Sequence, residues 1–375
     1  MATKQYDNYA DLITFTRAST GTYLDSDGLL KTATTNTPRI EYDANGNRKG
    51  LLIEEARTNF VPNSQGGINV SSFSSGTGSF DLELEDYSVA PDGTTTGLQL
   101  KWFMGTTGGS YAGVGISAGT LSSQIRTFSF FGKSNTASNQ TMQFRKSDGS
   151  VVTDITITPE WQRFSITDSV ASTNTSFQIW SPFSVISYTA NVDISIWGMQ
   201  LEAGSFPTSY IPTAGSTATR AADVASIPTS AFGYNADKGT LVVEHQSVAS
   251  VNQRSASIND GTSNNAIQIV VSTSGGGSLV GEIRTNATGQ MFQPSPIGIT
   301  AGQNYKIAVA YAENDAAVSR DGTTPGTDSS VVVPAVSNLV IGAGTSSFAF
   351  LNGHIKSIRY WPRRLTNTQL QELTS

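Results

Sequence analysis

Residues 50–59 read GLLIEEARTN. Two adjacent carboxylates, Glu54 and Glu55, stand just ahead of Arg57, and their geometry decides between an enzyme and a scaffold. The run LLIEEA follows an Asn45-Gly46 turn and has the short, apolar, bounded character of a strand. Successive side chains on a strand point to opposite faces. Glu54 and Glu55 therefore cannot address one substrate together, and a helix would not bring adjacent residues onto one face either. Glu55 and Arg57, two apart, share a face and suit a structural ion pair. A glycosidase dyad needs two carboxyls about 5 to 9.5 Å apart across a cleft, and this stretch alone cannot build one. No catalytic residue is assigned here.

Working outward, the composition points the same way. Charged residues are 14% of the 375, against about 25% in an ordinary globular chain. Gly, Ser, Thr and Asn take their place, which suits a turn-rich all-β surface. A net charge of −6 provides no basic field for phosphates, so nucleic acid is excluded as a partner. With no cysteine, disulfides, thiolate metal sites and cysteine nucleophiles are excluded too. The sequence has no run of about 18 apolar residues, so no helix is expected to insert in a membrane. The opening MATKQYDNYADL lacks the basic-then-apolar pattern of a signal peptide, so synthesis in the cytoplasm is expected.

Turn pairs recur at Asp27-Gly28, Asn45-Gly46, Asp148-Gly149, Asp260-Gly261, Asp321-Gly322 and Asn352-Gly353. Between them lie runs of period two: DLELEDY, KIAVAY with Ile307, Val309 and Tyr311 on one face, and VDISIWG with Ile194 and Ile196. One helix is expected, at the end. LTNTQLQELTS offers Thr366 as N-cap with Gln369 three residues on, a capping box, and Leu365 and Leu370 as a staple. At about two turns it needs a sheet to lean on. Composition divides the chain into a hairpin module over 1–60, a block over 61–213 and a block over 214–375. Ala214 to Thr219 read as a linker after the strand-breaking Pro207 and Pro212. Residues from about 220 to 375 are expected to fold on their own, with the final helix required.

Candidate sites are sparse. His245 and His354 lack metal or triad spacing and read as strand-face residues. GGSYAGVGISAGT, residues 108–120, is glycine-rich but has no lysine and no following helix, so it reads as loop and strand. Asp81, Glu83 and Glu85 form one acidic strand face that, with loop carbonyls, could ligate Ca²⁺. No other cofactor is implied. Of the five tryptophans most belong in a core. Trp180 in FQIWSPF, and Trp102 with Tyr111, are the candidates for a sugar-stacking surface.

The segment ITFTRASTGTYLDSDGLLKTATTNTPRIEYDANGNRKGLLIEEARTNFVPNS resembles a module that opens many tailed-phage and prophage structural proteins. Its pieces, FTRAST, DGLL, PRIEY, GLLIEE and RTN, stand here in order, and Glu54, Glu55, Arg57 and Asn59 belong to them. PDGTTTGLQL, ITITPEWQRFSI and IWGMQLEAGSFPTSYIPT resemble a carbohydrate-binding-module jelly roll. YKIAVAYAENDAAVSRDGT and NLVIGAGTSSFAFLNGHIKSIRYWPRRLTNTQLQEL resemble laminin-G or concanavalin-like domains.

The expected fold is all-β: a short N-terminal hairpin module, two antiparallel jelly-roll sandwiches and one short C-terminal helix. The resemblance implies a virion component (tail fibre, spike or head fibre) that binds host-surface glycan without cleaving it. By the same resemblance its partners are other virion proteins and copies of itself, as a homotrimer. The first module is expected to pack against the first sandwich or the virion. Two rival readings stand beside it: a purely architectural capsid decoration or tail connector, and a polysaccharide-degrading enzyme on the same scaffold.

Overall fold

The turn dipeptides adopt the backbone their chemistry favours. Gly28, Gly46, Gly149, Gly261 and Gly322 take φ between 72° and 95°, and in the sixth pair Asn352 itself takes φ 48°. The segments between them are antiparallel strands, in a computed structural model that describes residues 12–65, 70–75, 82–103, 111–118, 121–172, 176–182, 191–247, 252–272, 278–294 and 298–375. The fold is all-β, with sandwiched antiparallel sheets and one short C-terminal α-helix.

The chain divides into two units. A terminal unit is drawn from Met1–Thr20, Ala33–Ala56 and Ala221–Ser375, and a central unit from Gly21–Thr32 and Arg57–Arg220. These units interleave along the chain, where composition suggests three consecutive blocks cut at residues 60 and 213. The reason is physical: pairing between strands far apart in sequence leaves no mark on local composition.

In the terminal unit one sheet runs, edge to edge, Thr14–Thr16, Val224–Pro228, Asn338–Ile341, Gln253–Asn259, Ala266–Ser272, Ser278–Thr285 and Thr288–Pro294. The other runs Gly326–Asp328, Ala316–Arg320, Asn304–Ala312, Lys238–Ser247, Gly353–Trp361, Arg48–Ile53 and Ile40–Tyr42. The N-terminal segment thus adds strands to both sheets. Phe15 pairs with Ala225, and Ile53, Leu52 and Leu51 pair with Gly353, His354 and Ile355. Phe15, Leu51 and Ile53 enter one core with Leu241, Val243, Ile267, Ile269, Ile307 and Val309. Burying three such side chains contributes roughly 5–9 kcal/mol, comparable with the roughly 5–15 kcal/mol stability of a whole domain.

The outer face of the second sheet is apolar as well. Val242, Ala308, Ala310 and Ala317 are covered by Leu365 and Leu370 of the C-terminal segment. The helix Asn367–Thr374 has its expected capping box: Gln369 N–H donates to Thr366 Oγ1, and Thr366 N–H to Gln369 Oε1.

Four charged side chains are buried beneath the N-terminal strands. Arg17 Nη1 donates to Asp223 Oδ1 at 3.0 Å, and Arg39 Nη2 donates to Glu54 Oε2 at 2.8 Å and to Asp223 Oδ2. Asp223 Oδ2 also accepts from the Glu54 amide at 3.0 Å. Burial opposes the charge on Arg39, but Glu54 and Asp223 outweigh it and raise its pKa. Glu54 is therefore a scaffold residue, paired to Arg39 across the hairpin.

The central unit stacks two five-stranded sheets. One runs Val152–Ile157, Gln140–Lys146, Ser176–Pro182, Tyr111–Ser117 and Val70–Ser75. The other runs Gln162–Ser172, Gln124–Ser134, Asn191–Ala203, Thr95–Phe103 and Leu82–Val89. Aromatic residues fill the space between: Phe128 stacks on Phe177 at 4.4 Å, and Phe130 meets Phe144 edge-on at 5.0 Å.

The expected linker is an ordered part of this unit. Ala218–Arg220 pairs with Arg57–Asn59. Asn59, fully buried, donates to the carbonyls of Met199 and Ile211 and accepts from the amides of Val61 and Leu201. Tyr210 hydroxyl meets Ser64 Oγ at 2.6 Å. Arg57 lies over the Phe206 ring at 4.7 Å and donates to the Ala203 carbonyl.

The last block thus shares its sheets and core with the N-terminal strands. Residues 221–375 expressed alone are expected to aggregate or to unfold without cooperativity, while the whole chain gives a cooperative transition. In the whole chain Asp223→Ala is expected to cost about 3–5 kcal/mol, because it removes the buried carboxylate that both Arg17 and Arg39 bind and leaves Glu54 as the acid beside Arg39. Urea unfolding measures both, and a well-behaved 221–375 fragment would refute the first.

Candidate functional site

Strand alternation in the central unit sends Met142 and Phe144 into the core and Gln143 and Arg145 outward. Phe177 and Ile179 likewise go inward, leaving Gln178 and Trp180 on the outer face. The register then lines up one row across the sheet: Gly113 opposite Trp180, Trp180 opposite Gln143, and Gln143 opposite Asp154.

Within that row the side chains are linked. Asp154 Oδ1 accepts from Gln143 Nε2 at 3.2 Å, and Gln143 Oε1 accepts from the Trp180 indole N–H at 2.7 Å. The Arg145 guanidinium carbon lies 4.2 Å from the Trp180 ring centroid. Trp180 is half-buried. On its other side the strand carries Gly113, where an added Cβ would stand 2.5 Å from Trp180 Cβ. The neighbouring strand is thus shaped to leave room for the indole.

Of the two tryptophans offered for a sugar-stacking surface, Trp180 stands on an outer sheet face. Trp102 does not. It is fully buried in the same unit's core, with no hydrogen-bond partner for its indole N–H among the described residues, and has no face to offer a ligand. Alternation from Leu98 and Leu100 fixes it inward. Tyr111 opens the strand Tyr111–Ser117 opposite Pro182, but its side chain lies outside the described residues. So do Asp81 and the side chains of Glu83 and Glu85 on Leu82–Val89. Among the described residues no cluster of three His, Asp or Glu could hold a metal ion.

Sequence reasoning passed over Gln143, Arg145 and Asp154. The alternation in TMQFRK was a legible signal for an outward Gln and Arg, but their placement beside Trp180 depends on strand pairing.

Both histidines lie on strands, as expected, in the terminal unit. His354 Nε2 meets Glu41 Oε2 at 2.6 Å, and Lys49 Nζ stands 3.1 Å from the same oxygen. His245 is fully buried, and neither ring nitrogen has a hydrogen-bond partner among the described residues. Desolvation first, and the nearby Arg320 second, push its pKa down to about 3.

No protein-family profile and no curated protein matches the chain. Solved structures do. A heptameric SAP-like pentraxin from Limulus polyphemus is 21% identical over 37% of this chain and 70% of its own, with a TM-score of 0.31. The Ruminococcus gnavus IT-sialidase CBM40, solved with α2,6-sialyllactose, is 14% identical over 38% and 85%, with a TM-score of 0.33. A family 11 carbohydrate-binding module from Clostridium thermocellum, solved with a mixed-linked tetrasaccharide, is 15% identical over 41% and 99%, with a TM-score of 0.29. Likenesses at this level do not carry a function across.

The buried imidazole sets a pH dependence. Unfolded, His245 binds a proton below about pH 6.5; folded, it does so only near 3. The unfolded state therefore holds more protons between those values, so stability is fully present above about 6.5 and is lost as pH falls. The expected slope is about 1.4 kcal/mol per pH unit. Urea unfolding from pH 7 to 5 should show it in the natural chain and lose it in His245→Leu. An unchanged slope in the variant would show that the imidazole is not its source.

Proposed function

We propose that the chain is a non-enzymatic structural component of a phage virion that binds host-surface glycan through the outer face of its central unit. The glycan half of the reading is carried by one observation: an indole held on an outward sheet face by a hydrogen-bonded amide. A pinned ring presents its surface to a sugar with little conformational entropy left to lose. The virion half rests on the FTRAST to RTN pattern. In this reading the protein belongs to a tail fibre, spike or head fibre, assembles with other virion proteins and acts as a homotrimer. Copy number then matters, because linked weak sites can gain roughly 10²–10⁴ in avidity without a new contact.

The positions of the pattern residues support a scaffold role for the module. Arg17, Arg39, Glu54, Arg57 and Asn59 are all buried, so these polar residues hold the fold.

A glycan array probed with the whole chain should give binding that Trp180→Ala lowers at least about tenfold, roughly 1.4 kcal/mol, at unchanged melting temperature. The bound polysaccharides should keep their viscosity. Equal binding by the variant would remove Trp180 from the site, and falling viscosity would revive the enzyme reading.

A further inference from the structure

Trp180 ends one hydrogen-bonded relay and begins another contact. Asp154 orients the Gln143 amide, the amide takes the indole N–H, and the indole supports Arg145. Both polar ends of the Gln143 amide are thereby engaged, so Gln143 acts as a positioning residue. The group at the end of the relay is a guanidinium.

Arg145 is half-buried, and its guanidinium meets no carboxylate within ion-pair distance among the described residues. Of the five N–H donors of a guanidinium, two are used, in long 3.4 Å hydrogen bonds to the carbonyls of Lys146 and Ser147. The nearest acid in sequence is already occupied. Asp148 accepts from Ser150 N–H and Oγ–H at 2.9 and 2.7 Å, and lies 3.1 Å from Lys146 Nζ. Lys146 faces inward, with Asp168 at 2.8 Å. The sheet therefore presents a planar cation, held against an aromatic ring, with N–H donors to spare. That fork matches a carboxylate bidentately.

We infer that the ligand of this surface is an acidic saccharide, whose carboxylate is taken by Arg145 while its ring packs beside Trp180. This rests on the glycan-binding reading and narrows it. A charge-assisted pair at a preorganised donor discriminates acid from neutral sugar by roughly ten- to hundredfold.

The test uses the whole chain in calorimetric titrations with matched probes: trigalacturonate against its methyl ester, a hyaluronan tetrasaccharide against its carboxyl-reduced form, and a sulfated neutral galactan oligosaccharide. At least one carboxylate probe is expected to bind ten- to hundredfold more tightly than its uncharged counterpart. Arg145→Gln should abolish that preference, and Arg145→Lys, which keeps charge but loses the fork, should restore only part of it. Melting temperatures report whether each variant is folded; should Arg145→Gln unfold, the Arg145→Lys arm still decides. Equal binding of acid and neutral members, a preference for the sulfate probe, or a preference intact in both variants would overturn the inference while leaving glycan binding in place. If no acidic probe binds, the inference fails; the broader reading is then judged by the neutral members and by Trp180→Ala.

Discussion

One carboxylate holds the terminal unit together. Asp223 receives Arg17, Arg39 and the Glu54 amide, and it stands 206 residues from the first and 184 from the second. Two positive and two negative side chains are removed from water at once. Such a cluster costs several kcal/mol per ion in desolvation, and it persists only if each partner is in place. The N-terminal strands are thus fixed to a sandwich most of whose strands arrive after residue 220. Long-range pairing of this kind is slow to find, and the buried charges penalise mispaired alternatives.

The strands, turns and terminal helix were legible because their signals are local. KIAVAY divides as its alternation says: Ile307, Val309 and Tyr311 enter one core, and Ala308 and Ala310 the face beneath the helix. The capping box of Thr366 and Gln369 is likewise a three-residue pattern. What was not legible is pairing. Nothing in GLLIEE announces that it will lie beside Gly353–Ile355, and nothing in ATR that it will lie beside RTN. The candidate site divides along the same line. Trp180 stood out as an aromatic in a polar stretch, whereas Arg145 and Asp154 join it only through the register of two further ladders. Trp102 shows the limit of residue type alone: side-chain parity sent it inward.

The two units use their outer faces differently, and the sequences say why. Val242, Ala308, Ala310 and Ala317 leave the terminal unit's second sheet apolar, so a helix covers it and the face is spent on stability. The central unit places Asp154, Gln143, Trp180 and Arg145 on the corresponding surface. Those side chains satisfy one another in sequence, which leaves the surface polar and ordered. An ordered polar surface with unused donors is suited to a ligand that brings acceptors.

The carboxylates bear on the choice between binding and cleavage. A general acid needs a carboxyl whose pKa is raised beside the scissile bond. Glu41, Asp148 and Asp260 go the other way: burial pushes each up, but His354 beside the first, Ser150 and Lys146 beside the second, and Thr262 and Asn265 beside the third outweigh it. In Asp43 the Asn47 hydrogen bonds lower the value outright. Glu54 is held by Arg39, and Glu202 by the amide and hydroxyl of Thr208. The lowered values of Glu41, Asp43, Asp148 and Asp260 mark anions that hold structure. These carboxylates are thus held in place as parts of the scaffold.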